Sequence, residues 1–306
     1  MKKKTGSPRK RSTVSELEAR VRRLERLLEE PGGEDADPSD GGHTAGETLS
    51  ALLLQGLRRR HAAEIQRVLS TPEFDYYLFE TYYRGASESI RERQEIYLSL
   101  FHGHENVLDI GCGRGEFLQL LAENFIPAYG IDLDRDNVLA CEEKNLTALQ
   151  GDALAHLESL PESSLGGVYM GQVVEHMDNP RLLCLCERCY RALAPGGVLV
   201  ADTLNPHCLS AHQWFWLDPT HVRLIPPELL RFNLEQAGFG DCRVQYLSPV
   251  PEEESLSGFA PRPDSPAEIA EMKRTLQANF AKLNQLLYSH MEYAVMAYVP
   301  QDKAEL

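Results

Sequence analysis

No stretch of this 306-residue chain approaches the ~20 uninterrupted apolar residues of a membrane-spanning helix, so none is expected. Cysteine is sparse: seven residues, scattered without a pairing framework. Reduced thiols in a cytosol fit that pattern best, and a cytoplasmic location is expected. The chain also lacks excess positive charge. Its net charge is −15; residues 1–30 hold ten Lys/Arg against five Glu, so the other 276 residues carry −20. So acidic a body repels phosphates and argues against bulk nucleic-acid binding. The basic N-terminus has no apolar stretch behind it, so a secretory signal is not expected. Hydrophobic content of 42% suits a globular chain with a full core.

What is present centres on Val107-Leu108-Asp109-Ile110-Gly111-Cys112-Gly113-Arg114-Gly115-Glu116. A short apolar run breaks into glycines and resumes with the helical spacing of Phe117, Leu118, Leu120 and Leu121, which predicts strand, turn and helix. Glycines allow the tight turn and a close ligand approach, with helix-start N–H groups facing the ligand. A dinucleotide fingerprint would place its third glycine at 116. Glu116 stands there instead; its carboxylate would repel a pyrophosphate but suits a ligand carrying an ammonium and a sulfonium. Tyr129 to Asp134 reads as a second strand ending in acid. Asp132 lies about 20 residues beyond the glycines, where an acid can bind ribose hydroxyls. Alone it is as readily a helix cap; beside the glycine loop the ribose role is preferred.

These residues resemble class I S-adenosylmethionine-dependent methyltransferases. Four further pieces fit in order: Gly151-Asp152-Ala153, Gly167 through Glu175-His176, Leu193-Ala194-Pro195-Gly196-Gly197, and Leu229 through Gly238-Phe239. The resemblance covers roughly residues 74–299. Tyr82-Tyr83-Arg84-Gly85, Arg91-Glu92-Arg93-Gln94 and Leu217-Asp218-Pro219-Thr220-His221-Val222-Arg223 resemble methyltransferases of bacterial O-antigen and other surface-polysaccharide loci. The resemblance implies an α/β fold: a doubly wound, mostly parallel seven-stranded Rossmann-like sheet whose last strand is antiparallel. It implies S-adenosyl-L-methionine as cofactor. Asp109, Gly111, Cys112, Gly113, Asp132 and Leu133 would hold it on one side, and Gly151, Asp152, Ala153 and Gln172 on the other. Cys112 would contribute backbone, not thiol chemistry. Arg84 would hold the cofactor carboxylate as a bidentate pair.

Residues 1–30 are expected to form a basic tail and a short helix. The tail suggests attraction to anionic lipid or glycan, hence peripheral membrane association. Val14, Leu17, Val21, Leu24 and Leu28 follow coiled-coil steps, so residues 13–29 are either a homo-oligomer seam or a frayed amphipathic helix. A disordered linker (31–47), a helical lead-in (48–101), the methyltransferase domain (102–299, helical insertion at 249–290) and a tail (300–306) follow. The inserted helix at 266–288 could be a lid or a dimer face.

Asn205 to Pro226 holds both tryptophans, Trp214 and Trp216, with His207, His212, His221 and Arg223. Its rings suit sugar faces, and its His and Arg suit hydroxyl or phosphate. A turn fixed by Asp218 and His221 is the plainer reading. Methyl transfer is an in-line displacement, so positioning supplies much of the rate. A hydroxyl acceptor also needs a base, for which His176 and His221 are the candidates; a phosphate does not, and Arg223 would bind it. Glu175-His176 resembles a turn of ubiquinone-pathway O-methyltransferases, where an acid three residues earlier completes a divalent-metal set. Gln172 stands there, so no metal is expected. Nor is zinc at Cys184, Cys186 and Cys189, which do not converge well on one helix. The expected function is O-methylation of a glycan, sugar-phosphate or small-molecule acceptor. The alternative is a cofactor-binding but silent scaffold assembled through its N-terminal helix. A nicotinamide oxidoreductase is disfavoured by Glu116.

Overall fold

The computed structural model describes residue 74, residues 76–258 and residues 266–303. From residue 76 onward these belong to one compact unit, residues 75–306. The expected basic tail, heptad seam and linker, and the lead-in as far as residue 73, lie outside the described residues.

Seven strands form one sheet: β1 (Val107–Ile110), β2 (Ala128–Asp132), β3 (Ala148–Gln150), β4 (Leu165–Gly171), β5 (Leu193–Leu204), β6 (Gly240–Pro249) and β7 (His290–Tyr298). Their order is β3-β2-β1-β4-β5-β7-β6. The first five are parallel, and β7 runs antiparallel between β5 and β6. The mostly parallel seven-stranded sheet expected from the sequence is what forms.

Ten α-helices flank the strands among the described residues: α1 (Tyr76–Tyr83), α2 (Ser87–Gln94), α3 (Leu98–Phe101), α4 (Glu116–Glu123), α5 (Arg135–Glu143), α6 (Ala153–Ser159), α7 (Asn179–Ala192), α8 (His212–Leu217), α9 (Pro227–Ala237) and α10 (Ala267–Leu287). Two cores cover the two faces of the sheet. Leu108, Val168, Leu199 and Val295 join Leu154, Leu182 and Leu230 from α6, α7 and α9. Val107, Tyr169, Val200 and Ala294 join Phe101 and Phe117 from α3 and α4. Successive strand residues thus feed opposite cores, the period of two that a sheet buried on both faces requires. Along α7, Cys186 and Cys189 sink into the first core while Cys184 is exposed. Burial pushes the Cys186 thiol up to about 12.

The topology also locates a crevice. From β1 the chain winds outward to β3, then returns to place β4 on the other side of β1. Helices leave the carboxyl ends of β1 and β4 in opposite directions, which opens a gap there.

Candidate active site

A cavity of about 930 Å3 occupies that gap. On its β1 and β2 side the glycine loop folds back on β2: the Gly111 and Cys112 N–H groups both donate to the Ile131 carbonyl, at 2.8 and 3.2 Å. Gly113 sits at φ +53°, and a Cβ there would lie 2.6 Å from Arg84 Nη1. The loop therefore needs glycine both for its conformation and for the guanidinium packed against it. Asp132 ends β2. Its Oδ2 accepts the Gly113 N–H (2.9 Å) and its Oδ1 the Asp134 N–H (2.8 Å). Each oxygen keeps a second lone pair for a ligand hydroxyl. Burial raises this carboxyl and those two backbone donors counter it. Leu133, 70% exposed, lies on the wall beside it, with Gly151 and Ala153.

The first helices close this side. Arg84 ends α1 against Glu80 Oε1 at 2.9 Å, and Glu80 also takes Asn137 Nδ2 at 3.4 Å. Burial works against the Arg84 charge, but Glu80 and Glu116 outweigh it, so the guanidinium stays charged. Glu116 is 1% exposed, held by Arg114 (3.0 Å) and Ser87 (2.9 Å). Its carboxylate is thus an anchor for α2 instead of a free charge at the loop. Asp152 caps α6 through the Ala155 N–H (3.0 Å) and pairs with Arg181 at 2.8 Å.

The opposite wall comes from the turn after β4 and from the segment 205–226. The Val222 and Arg223 N–H groups both donate to the Glu175 carbonyl, at 2.8 and 3.2 Å, strapping that segment to the turn. The straps bring the His176 and His221 rings to 4.7 Å between centroids. Their hydrogen bonds fix their neutral tautomers. His221 Nδ1 is 2.9 Å from the Phe215 carbonyl, which can only accept, so Nδ1 carries the proton. Thr220 Oγ1 donates to Asp218 Oδ1 (2.6 Å), so it accepts from His176 Nδ1 (2.9 Å). Nε2 is thereby the basic nitrogen of each ring, and that of His221 lies 3.9 Å from Asp218 Oδ2, whose charge would hold a proton gained there. Burial, then His221, pushes the His176 imidazolium down to about 4. Asp218 Oδ2 takes the Tyr76 hydroxyl at 3.3 Å, which ties α1 to this wall.

Glu175 is wholly buried with neither carboxylate oxygen hydrogen-bonded, and burial pushes it up to about 8. One ligand atom from each of Glu175, His176 and His221 lies within 4.8 Å of the other two. Those three could hold a divalent cation. Gln172, at φ +56°, donates to Asp202 (3.1 Å) and Glu292 (3.3 Å). Burial and the neighbouring Glu292 raise Asp202 to about 6.

Of the fourteen residues expected to hold the cofactor or act in catalysis, Arg84, Gly111, Asp132, Leu133, Gly151, Asp152, Ala153, Gln172, His176 and His221 line this one cavity. Four do not. Asp109 is buried within β1, and Gly113 sits behind Arg84. Cys112 turns its thiol onto Gly130. The Arg223 side chain faces Asn179 at 3.3 Å and is not brought to the cavity. Sequence reasoning missed Tyr76 and Thr220 because their partners Asp218 and His176 are distant in the chain, and missed Glu80 although it lies one helical turn before Arg84, a spacing that was available as a signal.

A glycine turn, a β2-terminal acid and a half-buried arginine thus meet at the switch point of a 3-2-1-4-5-7-6 sheet. A family model described as a methyltransferase domain matches residues 57–242, and the chain belongs to that family. S-adenosylmethionine is its cofactor, and the loop, Asp132 and Arg84 fit that group. Among solved structures, an S-adenosylmethionine-dependent methyltransferase from Archaeoglobus fulgidus is 36% identical with a TM-score of 0.69, covering 74% of this chain and 100% of that one. A probable S-adenosylmethionine-dependent methyltransferase from Mycolicibacterium smegmatis is 31% identical over 153 residues, 49% of this chain and 58% of that protein. The ubiquinone biosynthesis O-methyltransferase of Psychrobacter arcticus is 32% identical over 113 residues, 33% of this chain and 41% of that protein. The chain spans about half the length of these curated relatives. No helix among the described residues is long and apolar enough to cross a membrane.

Proposed function

We propose that this domain methylates a hydroxyl oxygen of a glycan, sugar-phosphate or small-molecule acceptor in the cytoplasm. The observation that carries the reading is the imidazole pair, with both Nδ1 protons committed, Nε2 the basic nitrogen of each ring, and that of His221 3.9 Å from Asp218 Oδ2. When bound, S-adenosylmethionine supplies an electrophilic methyl group on its sulfonium. Asp132 would take the ribose hydroxyls and Arg84 the carboxylate, with His176 and His221 on the opposite wall of the same cavity. His221 Nε2 would take the proton that a hydroxyl acceptor releases as its oxygen is methylated. Tyr76 and Trp214 on the same wall offer ring faces to a sugar. Similarity to ubiquinone biosynthesis O-methyltransferases favours oxygen as the atom methylated. Arg93, 3.5 Å from Glu292 on this wall, is the cation for a phosphorylated acceptor, in place of Arg223.

The test is methyl transfer to a panel of plain and phosphorylated glycans and small alcohols, with parent and His221→Ala. The expected loss in the variant is about 10²–10⁴-fold, with S-adenosylhomocysteine affinity unchanged. Full activity in His221→Ala would remove it as the base. Transfer confined to amines would overturn the oxygen assignment.

A further inference from the structure

A smaller cavity of about 330 Å3 opens off the first. Arg84, Gln172, Ser248 and Glu292 stand in the wall of both. Gln94 from α2, Tyr169 from β4 and Asp202 from β5 line only the smaller one. Its two carboxylates are crowded together. One nitrogen, Gln172 Nε2, donates to both Asp202 Oδ1 (3.1 Å) and Glu292 Oε1 (3.3 Å). Their other oxygens accept neutral hydroxyls, from Tyr169 at 2.7 Å on Asp202 and from Ser248 on Glu292. These donors satisfy the geometry and leave the charge poorly matched. Of the two arginines in the wall, Arg84 is engaged with Glu80 at 2.9 Å, and Arg93 meets Glu292 at 3.5 Å from a half-exposed position. The rise of Asp202 to about 6, from burial and then Glu292, reflects the same excess of negative charge. Gln94 is an independent sign. It is 9% exposed, and its Oε1 is buried without a hydrogen-bond partner. A buried amide oxygen left unpaired is costly, so the cavity lacks a donor.

We propose that this side cavity receives a primary ammonium group, held by Gln94 Oε1 and the Asp202 and Glu292 carboxylates. An ammonium brings three donors and no acceptor, which matches three acceptors with excess negative charge. A phosphate or a carboxylate would be repelled by the same pair. A divalent cation would need more charged oxygens than two, and no third acid or histidine joins Asp202 and Glu292 within ligand reach among the described residues. Two ammonium groups have the right chemistry. One is the cofactor's own: a single carbon carries both it and the carboxylate proposed for Arg84, and Arg84 stands in both walls. The other would belong to an amino-alcohol or amino-sugar acceptor. The shared wall at Arg84 favours the cofactor. With the cofactor as source, this role rests on Arg84 holding the carboxylate, and it is independent of which atom is methylated.

Calorimetry on the full chain tests it with S-adenosylhomocysteine and its des-amino analogue, which keeps the carboxylate and lacks the ammonium. Gln94→Leu and Glu292→Gln should each weaken S-adenosylhomocysteine roughly tenfold and leave the analogue within about twofold of the parent. Arg84→Met should weaken both ligands alike, which checks the carboxylate separately. If neither Gln94→Leu nor Glu292→Gln changes either ligand, methyl transfer reads the other source: the KM for amino alcohols should rise several-fold in both variants, with plain alcohols unchanged. A loss shared equally by both ligands in these two variants, or the absence of any effect that follows the ammonium, would overturn the proposal.

Discussion

Asp132 ties the cofactor side together because one carboxylate serves two masters. It accepts the Gly113 and Asp134 N–H groups and keeps lone pairs for ribose hydroxyls. Losing a charged acceptor costs roughly 1.5–3 kcal/mol, so Asp132→Ala should bind S-adenosylhomocysteine about ten- to a hundredfold more weakly by calorimetry. Unchanged affinity would remove Asp132 from the site. Glu175 makes a different prediction. Its carboxyl is raised from 4.5 to about 8 by burial. Between those values the unfolded chain releases a proton that the folded chain keeps. The group's contribution is therefore complete below about 4.5 and is lost as pH rises through about 8. At about 1.4 kcal/mol per unit, roughly 3 kcal/mol is gone by neutral pH. Glu175→Gln has no proton to release, so its stability relative to the parent should rise with pH across that window. Chemical denaturation at several pH values measures this, and parallel profiles would contradict the burial argument. His176, held down to about 4, shifts the parent's profile the other way, but it is present in both proteins and cancels in the difference. At this scale the glycine loop and Asp132 were legible because each sits in a contiguous motif. Thr220 and Tyr76 were not, because their partners lie 44 and 142 residues away.

Among the elements, the turn after β4 depends on the 218–223 segment for its shape. The Thr220 hydroxyl relays between Asp218 and His176, so it positions the imidazole. Thr220→Val keeps the volume and removes the relay. We expect kcat to fall roughly five- to tenfold with the acceptor KM little changed, and Thr220→Ser to restore it. Equal rates in all three proteins would leave the hydroxyl as packing. The sequence flagged this segment through its aromatics and histidines. It could not show that Arg223 contributes its N–H to Glu175 while its side chain turns to Asn179, because strand and loop direction are set by the fold. Likewise a helix was legible at 266–288. That its apolar residues divide between a body-facing and a water-facing side became visible only once Ala270, Phe280 and Leu287 were seen against the body.

At the scale of the whole molecule, the strand order puts one gap where the sheet reverses direction, and every residue proposed to hold the cofactor there comes from the ends of β1, β2, β3 and β4 or from the helices before them. Strand β1 was readable in advance because a strand buried on both faces writes a continuous apolar run, whereas the full seven-stranded sheet was implied by the family resemblance, since β3 and β6 are short or largely exposed. The closing of the cavity by α1 was not, since it depends on Tyr76 reaching Asp218 and Arg84 reaching the glycine loop. The most direct test is a crystal structure with S-adenosylhomocysteine bound. The account predicts ribose hydroxyls on Asp132, the carboxylate on Arg84 and the sulfur facing His176 and His221 across the cavity. A nucleoside bound elsewhere, or a sulfur turned away from the two imidazoles, would contradict it.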